Sequence, residues 1–568
     1  MNNIRLLRSL IPASFLTWLA MATCLVIATS CTLKIVKNPA NSCKPGKHYI
    51  GQVDYDFEDE FDLIPVGSIT PAYPNVDVRA VVRYPATAPG VGTPIAAGRF
   101  PLVIFLHGNH ATCPCSCSHA CAPADRIPNH LGYNYMLDIL ASRGFVAISI
   151  DGFDVTCAGS FTMSDYEARG RLVLRHLEKW VDWNDNGTDP WGGLLQYHVD
   201  MNKIGLSGHS RGGEGVVAAE YINRTEALGF KIKAINAIAP TDQDPDIHYV
   251  SEEPYFLLLA ASDGDVYSLQ GLRTYDRSFP ITLPVQEMKT MQWIYGANHN
   301  FFNTVWTPGT GFACASDDGV GEGRLSPKLQ QLTACQSIVP FFERHLKAKA
   351  SHLMSVFKGD RPLEGEDGIE AYWAYQDPNR LELDNFEAGD NPGSNSLGGI
   401  VSSSGGFLTF DEFEFKPSGL DRYLNRTYRH FTHALVLEWT APQFFLSNLP
   451  VGQQDVSQFK ALSFRSGQII GGATPDVRNP LDTSRTIRVS LVDSANNVSN
   501  SGFPVTALQS IPYPYEYNGG KTVFTTIRIP LRGFRLDNAP FPLNDVAAVR
   551  FEVEGTGLMA IDDIQFTR

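Results

Sequence analysis

The chain has 568 residues, more than one ordinary domain needs, so we expect two folded units. Hydrophobic residues make up 43% and charged residues 19% of the sequence, which excludes an intrinsically disordered chain. The 60 acidic and 46 basic residues leave a net charge of -14. This charge argues against a nucleic-acid partner, because phosphate groups are bound by basic surfaces.

The N-terminal segment has the features of an export signal, and we predict a signal peptide over residues 1–31. Arg5 and Arg8 precede a long apolar stretch, and small residues come directly before Cys31. This ending is typical of a lipoprotein signal, in which the cysteine is lipidated, and also of an ordinary cleavage site; an uncleaved anchor is the remaining interpretation. The predicted location is secreted or in the cell envelope, in the periplasm or on the outer surface, with membrane attachment if Cys31 carries lipid.

Residues 45–355 alternate between strand-like and helix-like segments. The short apolar runs predict strands at Val78–Tyr84, Leu102–Leu106, Phe145–Ile150, Lys203–Leu206, Ala234–Ala239 and Tyr255–Ala261. The amphipathic stretches predict helices at Tyr133–Ser142, Tyr166–Trp183, Gly212–Asn223 and Gln330–Ala348. Strands that are apolar throughout are typical of a parallel sheet covered on both faces, so we predict an α/β domain with a doubly wound, mostly parallel sheet.

The pattern changes near residue 355. Residues 356–370 are polar and rich in glycine, which is typical of a linker. Beyond them, strand-like segments such as Ala434–Trp439, Thr486–Val492 and Ala547–Val553 alternate with turns, and helical periodicity is scarce. We predict an all-β sandwich or jelly roll over residues 371–568.

The cysteines also favour export. Two of the ten would leave with the signal peptide, and the even number that remains predicts disulfides in an oxidising compartment. The pairing cannot be read from the sequence, although Cys314 and Cys335 are a plausible local pair. A metal site at Cys113–Cys121 with His110 and His119 is the alternative, but zinc sites usually have C-x-x-C spacing, so we predict no metal.

The strongest motif is Gly208-His-Ser-Arg-Gly212, between a predicted strand and a predicted helix. A G-x-S-x-G sequence in that setting forms a sharp turn that exposes the serine hydroxyl above the sheet. Glycines flank the serine because the turn is crowded. We therefore predict that Ser210 is a nucleophile.

A serine nucleophile needs a base that is oriented by an acid, and with this motif the chain order is serine, acid, histidine. His299 follows a strand and a turn of small residues, and it is the predicted base. Asp263 and Asp265 both follow the predicted strand at Tyr255–Ala261. We predict Asp265 as the acid and keep Asp263 as the alternative.

An oxyanion hole needs two backbone N–H donors. Arg211 follows the nucleophile and supplies one, and Asn109, in the loop after the strand Leu102–Leu106, supplies the other. We expect His107 to shape that loop. Arg211 and Glu214 are three residues apart on a helix, which favours a structural ion pair.

Three stretches of the chain resemble the α/β-hydrolase superfamily, and the resemblance covers roughly residues 75–350. They are Leu106-His-Gly-Asn109, residues 200–213 and Gly296-Ala-Asn-His299. The most similar branch contains cutinase-like polyester hydrolases, chlorophyllases and platelet-activating-factor acetylhydrolases. The resemblance implies ester hydrolysis through an acyl-enzyme without a cofactor, carried out by Ser210, Asp265, His299, Asn109 and Arg211. The chain departs from the polyester hydrolases by Arg211, where they usually carry methionine, and by the cysteine-rich insert Cys113–Cys121.

The C-terminal part more loosely resembles bacterial carbohydrate-binding jelly rolls. Leu383–Glu387 and Ala560–Phe566 are similar to their terminal strands. The resemblance implies glycan binding, for which Tyr513, Tyr515 and Tyr517 are candidate stacking residues or simply loop packing.

Together these patterns predict an exported serine hydrolase whose substrate is a carboxylic ester, including a polymeric one. A serine peptidase or amidase with the same triad is the first alternative. A surface glycan-binding protein with a vestigial hydrolase domain is the second.

Overall fold

The structure is a computed structural model that describes residues 43–160, 162–243, 249–279, 287–314, 318, 325–349, 354–358, 363–364, 369–387, 391–415, 430–469, 478–480, 485–500, 503–506, 511–512 and 521–568. The predicted signal peptide with Cys31 lies outside these residues, and so do Tyr513, Tyr515 and Tyr517. The described residues belong to one compact unit.

A mixed sheet of eleven strands dominates the first part of the chain, in the spatial order β10-β11-β9-β8-β7-β6-β4-β5-β2-β1-β3. Its strands are β1 Tyr49–Leu63, β2 Tyr73–Ala86, β3 Gly90–Val91, β4 Phe100–Leu106, β5 Val146–Ile150, β6 Val199–His209, β7 Ile232–Ile238, β8 Tyr255–Ala260, β9 Lys289–Ile294, β10 Leu363–Glu364 and β11 Glu370–Gln376. The six central strands, β4 to β9, are parallel to one another. Antiparallel pairs extend the sheet at both ends.

The α-helices of the described residues are α1 Asn134–Ser142, α2 Asp165–Asn186, α3 Arg211–Thr225, α4 Gly271–Arg277, α5 Pro327–Lys347 and α6 Met354–Phe357. Two helices have side-chain N-caps: the Ser164 hydroxyl accepts a hydrogen bond from the Glu167 amide, and Ser326 does the same for Leu329. Apolar side chains of the helices and the sheet form one core, which includes Trp180 of α2. None of these helices combines the length and apolar character that crossing a bilayer needs.

The predicted α/β-hydrolase fold with a doubly wound, mostly parallel sheet is wrong for this chain. The large sheet is mixed, strands far outnumber helices in the described residues, and several antiparallel sheets follow. The sequence showed only the middle of β2 and did not show β1, because the two long strands alternate exposed and buried residues instead of being apolar throughout. Local periodicity also cannot show whether two strands pair parallel or antiparallel, or that β11 joins the first sheet.

The C-terminal part is built from antiparallel sheets, with β12 Arg380–Asp384, β13 Val401–Ser403, β14 Thr409–Glu414, β15 His433–Trp439, β16 Gln443–Asn448, β17 Ala461–Gln468, β18 Thr486–Val492, β19 Phe503–Thr506, β20 Thr525–Pro530, β21 Arg535–Leu536, β22 Ala539–Pro540, β23 Ala548–Val553 and β24 Gly557–Thr567. One sheet has the order β14-β15-β24-β17-β20, with β12 also on β24. The second has the order β13-β16-β23-β18-β19, and β21 and β22 form a hairpin. Apolar residues of the two larger sheets share one core, in which the Phe464 and Phe551 rings lie 5.1 Å apart.

The two parts of the chain are joined by main-chain pairing and by buried charges. The predicted domain boundary at residue 371 falls within β11, which pairs with β9 of the first sheet. Asp276 of α4 forms an ion pair with Arg465, at 2.7 Å, and a hydrogen bond with His430, at 2.9 Å. Both partners belong to the C-terminal part, and all three side chains are almost completely buried. Such a contact is costly to separate, because a buried charge without its partner is strongly unfavourable.

The prediction of disulfides is confirmed. The pairs are Cys43–Cys335, Cys113–Cys121, Cys115–Cys314 and Cys117–Cys157. The local pair Cys314–Cys335 is wrong, because both cysteines bond to partners more than 190 residues away. Four disulfides indicate that the protein folds in an oxidising compartment outside the cytoplasm.

Candidate active site

The predicted site residues follow different strands of the parallel part of the large sheet. Asn109 follows β4, Ser210 follows β6, Asp263 follows β8 and His299 follows β9. Since β4 to β9 are parallel, the loops after them emerge at the same edge of the sheet. The carboxyl ends of parallel strands are where such sheets bind ligands.

Ser210 occupies a strained turn between β6 and α3. Its φ of 58° and ψ of -128° lie outside the regions that residues with a side chain normally adopt. The Ser210 amide donates to the Ile238 carbonyl at 2.8 Å, and the Ser210 carbonyl accepts from the Gly213 amide at 2.8 Å. Strain of this kind costs of order 1–3 kcal/mol and clusters at functional sites. The turn therefore joins β6 sharply to α3, with Ser210 itself buried instead of exposed.

The loop after β4 lies directly against this serine. A methyl group at Gly108 would come within 2.4 Å of Ser210 Cβ and 3.1 Å of Ser210 Oγ. A methyl group at Gly212 would come within 2.5 Å of the Leu106 and His107 carbonyl oxygens. Only glycine fits at both positions, so the loop after β4 packs directly against the serine turn.

Asn109 and Arg211, the predicted oxyanion donors, both lie beside the serine turn, one in the loop after β4 and the other directly after Ser210. Arg211 begins α3, a helix of fifteen residues, so its amide lies at the positive end of the helix dipole. Among the described residues, neither the Asn109 amide nor the Arg211 amide donates a hydrogen bond to a protein acceptor. Both residues are half-buried.

Side chains fix the conformation of the loop after β4. The Gly152 amide donates to His107 Nε2 at 2.9 Å, so the ring carries its proton on Nδ1 and donates to the Gly108 carbonyl at 2.8 Å. Burial lowers the pKa of His107, which keeps the ring neutral. The Asn109 side-chain oxygen accepts from the Cys157 amide at 3.0 Å, and Cys157 is in turn bonded to Cys117. His107 thus shapes the loop, and the cysteine-rich insert braces it.

The aspartate that contacts Nδ1 of His299 is Asp263 and not the predicted Asp265. His299 Nδ1 lies 2.9 Å from Asp263 Oδ2, and both side chains are only 1% exposed. Asp265, the predicted acid, has a 60% exposed side chain and lies 3.7 Å from the other ring nitrogen, Nε2. The reason is a tight turn in which the Asp263 carboxylate accepts from the Asp265 amide at 3.0 Å, so the first aspartate points inward. The geometry therefore gives the orienting contact to Asp263.

The carboxylates around His299 favour its charged form. Burial disfavours its charged form, but the carboxylates of Asp263, Asp265 and Asp318 outweigh this effect and raise the pKa of His299 to about 9. Its Nε2 atom is buried and has no hydrogen-bond partner among the described residues. Since Nδ1 is held by Asp263, Nε2 is the nitrogen that remains for proton transfer.

Several residues that the sequence did not identify hold His299 in place. His209 donates from Nε2 to the His299 carbonyl at 3.0 Å and accepts from the Tyr133 hydroxyl at 2.9 Å. The Asp318 carboxylate accepts from the amides of His299, at 2.7 Å, and Gly264, at 3.0 Å, so it ties the two loops together. His209 stands inside the serine motif and could have been noticed there, but no sequence signal marks Asp318.

The expected ion pair between Arg211 and Glu214 is not the contact that Arg211 makes. Its guanidinium lies 2.7 Å from Asp165 of α2. Glu214 is buried and accepts from the Thr241 hydroxyl at 2.6 Å and from the Gln243 amide at 2.7 Å. The helix spacing was compatible with a pair, but packing of α3 turns Glu214 toward the core and leaves Arg211 at the rim of the site.

Sequence comparisons with known proteins identify no family for this chain. No family model matches the chain, and no curated protein matches it either.

Proposed function

We propose that this protein is an exported serine hydrolase that cleaves carboxylic esters, with Ser210 as nucleophile, His299 as base and Asp263 as the orienting acid. The observation that carries the proposal is the buried pair of His299 and Asp263 at the sheet edge that also holds the strained Ser210 turn. A serine on such a turn, a base and an orienting acid are the parts of a triad, which is recognised by geometry and roles.

The reaction follows from these roles. His299 Nε2 takes the proton from Ser210 Oγ as the oxygen attacks the carbonyl carbon of the ester. The developing oxyanion accepts hydrogen bonds from the amides of Asn109 and Arg211. The bond to the alcohol breaks, and His299 donates its proton to the departing oxygen. Water then attacks the acyl-enzyme and gives a proton to His299, which returns it to Ser210 Oγ as the bond between Ser210 and the acyl carbon breaks and the acid is released.

Asp263 acts through the histidine. Its carboxylate accepts a hydrogen bond from His299 Nδ1–H, which fixes the ring so that Nε2 is free to receive a proton. It also stabilises the imidazolium that forms during each proton transfer. Asp265 is too exposed to fix the ring in this way, although its charge adds to the basicity of His299.

The substrate class and the location rest on the sequence. The resemblance to polyester hydrolases, chlorophyllases and acetylhydrolases favours an ester substrate, including a polymeric one, and glycan binding by the C-terminal part stays a prediction. We also propose that the protein is either released or held at the cell envelope through lipidated Cys31. Mass spectrometry of the membrane fraction would distinguish these two forms.

The test is a panel of p-nitrophenyl esters of increasing acyl length, measured together with p-nitroanilides of amino acids. We expect turnover of the esters by the oxidised protein and its loss in Ser210→Ala. Turnover of the anilides at a similar or higher kcat/KM would replace the esterase proposal by an amidase or peptidase. A folded protein without turnover of either class would contradict hydrolysis and favour the glycan-binding alternative.

A further inference from the structure

A lysine from the C-terminal part reaches the turn that carries the acid. Lys521, which lies just before β20, is only 2% exposed. Its ammonium group donates to the Ala261 carbonyl at 3.0 Å and is 3.4 Å from the Asp263 carbonyl. These two carbonyl groups belong to the turn after β8, which positions the Asp263 carboxylate against His299.

Burying an ammonium group is expensive unless charges of opposite sign lie nearby. The charged groups that act on Lys521 are the carboxylates of Asp263 and Asp318. Burial lowers the pKa of Lys521 to about 8, so the group is charged at neutral pH. The lysine therefore places a positive charge near Asp263 and Asp318, two of the carboxylates that also act on His299.

The segment that carries this lysine is anchored to the first part of the chain. Val523, two residues further on, is buried in the same core as Trp293 of β9. The Thr526 hydroxyl of β20 donates to the Tyr375 carbonyl at 3.2 Å and accepts from the Tyr375 amide at 2.7 Å. Since Tyr375 lies on β11, which pairs with β9, the position of Lys521 is fixed relative to the strands that precede Asp263 and His299.

We propose that Lys521 is a positioning residue for the acid and base, so that the strand-rich C-terminal part completes the active site. Lys521 holds the backbone of the acid turn through the Ala261 carbonyl and offsets the negative charge that gathers around His299. It touches neither the substrate nor a reacting atom in this account. The inference rests on the proposed function for the roles of the acid and base, whereas the contact between the lysine and the turn is independent of turnover.

The test compares three substitutions of Lys521 in the full chain. Lys521→Met and Lys521→Gln remove the charge, and Lys521→Arg keeps it. Lys460, an exposed lysine of the same part of the chain, provides the control Lys460→Met. Two quantities are measured: kcat and KM for a p-nitrophenyl ester, and the downfield proton NMR signal of the His299 Nδ1–H bonded to Asp263, which His299→Gln identifies.

We expect the two uncharged variants to lose roughly tenfold in kcat with little change in KM, because a misplaced catalytic pair slows the chemical step and not binding. The downfield signal should shift or broaden in both. Lys521→Arg should restore kcat to within about threefold of the original value, and Lys460→Met should change neither quantity.

The inference is overturned if a folded Lys521→Met or Lys521→Gln protein keeps both its kcat and its downfield signal. Failure of both uncharged variants to fold, with normal kcat in Lys521→Arg, would make the lysine purely structural and would overturn it equally. If the original protein shows no Ser210-dependent turnover, the proposed function fails, and the NMR signal alone then decides whether Lys521 positions the pair.

Discussion

The serine turn and the histidine–aspartate pair are built by different kinds of contact. The Ser210 turn is fixed by the loop after β4, by the Ile238 carbonyl of β7 and by glycines within or beside the motif, and β4, β6 and β7 are adjacent parallel strands. The pair of His299 and Asp263 depends on Asp318 and on Lys521, which is 258 residues beyond Asp263. The comparison indicates that a short motif can specify the position of the proposed nucleophile, whereas the positions of the proposed base and acid depend on contacts between distant segments of the chain.

The largest effect is expected at the serine itself. Ser210→Ala removes the atom that attacks the substrate, so kcat should fall by about 10⁴-fold or more. The measurement is steady-state hydrolysis of a p-nitrophenyl ester, with circular dichroism to show that the variant is folded. A matched control is Ser160→Ala, since Ser160 follows β5 and is not part of the serine turn.

The next effect is expected at Gly108 and tests the local contacts of the Ser210 turn. In Gly108→Ala the added methyl group would overlap Ser210 Cβ, so either the loop or the serine must move. We expect a loss of about 10²-fold or more in kcat, because the proposed oxyanion donor Asn109 moves with the loop, or the serine moves away from it. Gly159→Ala is the control, because an added methyl group there meets no atom within 4 Å. Equal activity of the two variants would show that the loop does not act on Ser210.

The third effect is expected at Asp263 and tests the contacts that hold His299. Asp263→Asn should lower kcat by about 10³- to 10⁴-fold, because the amide no longer fixes the correct tautomer of His299. Asp265→Asn, which changes the exposed neighbour in the same turn, should lower kcat by less than about tenfold. A larger loss in Asp265→Asn than in Asp263→Asn would return the acid role to the residue that the sequence favoured.

The smallest effect concerns pH. Carboxylates raise the pKa of His299 to about 9, so the neutral, basic form gains population as the pH rises toward that value. The kcat/KM should therefore increase with pH well above the ordinary histidine range. Asp265→Asn removes one of these negative charges, which lowers the pKa of His299 and should move the rise in kcat/KM to lower pH by about 0.5 to 1 unit. A profile already flat above pH 6.5 would contradict this account.

The contrast between local and distant contacts also explains which parts of the site the sequence could predict. The Ser210 turn, the start of α3 and the adjacent loop with Asn109 were predictable because their residues interact over short stretches of regular structure. The choice between Asp263 and Asp265 was not, because it depends on which side chain the turn directs inward. Neighbouring carboxylates in one loop look alike until the direction of each is known.

The parts of the fold that depend on contacts between distant segments were also not predictable from the sequence. Apolar runs located the central strands, but the antiparallel pairing of β1 with β2 and of β11 with β9 depends on contacts between distant segments. The disulfide Cys115–Cys314 joins cysteines 199 residues apart and displaced the local pair that spacing favoured. Lys521 carries no motif at all, and only packing brings it to the acid turn.

The central claim is that Ser210 is the reacting nucleophile of a triad. Its most direct test is intact mass spectrometry of the oxidised protein after reaction with a fluorophosphonate, followed by peptide mapping. We predict a single adduct on Ser210, no adduct in Ser210→Ala, and strongly slowed labelling in Asp263→Asn. An adduct on another residue, or none on a folded protein that still hydrolyses esters, would contradict the account.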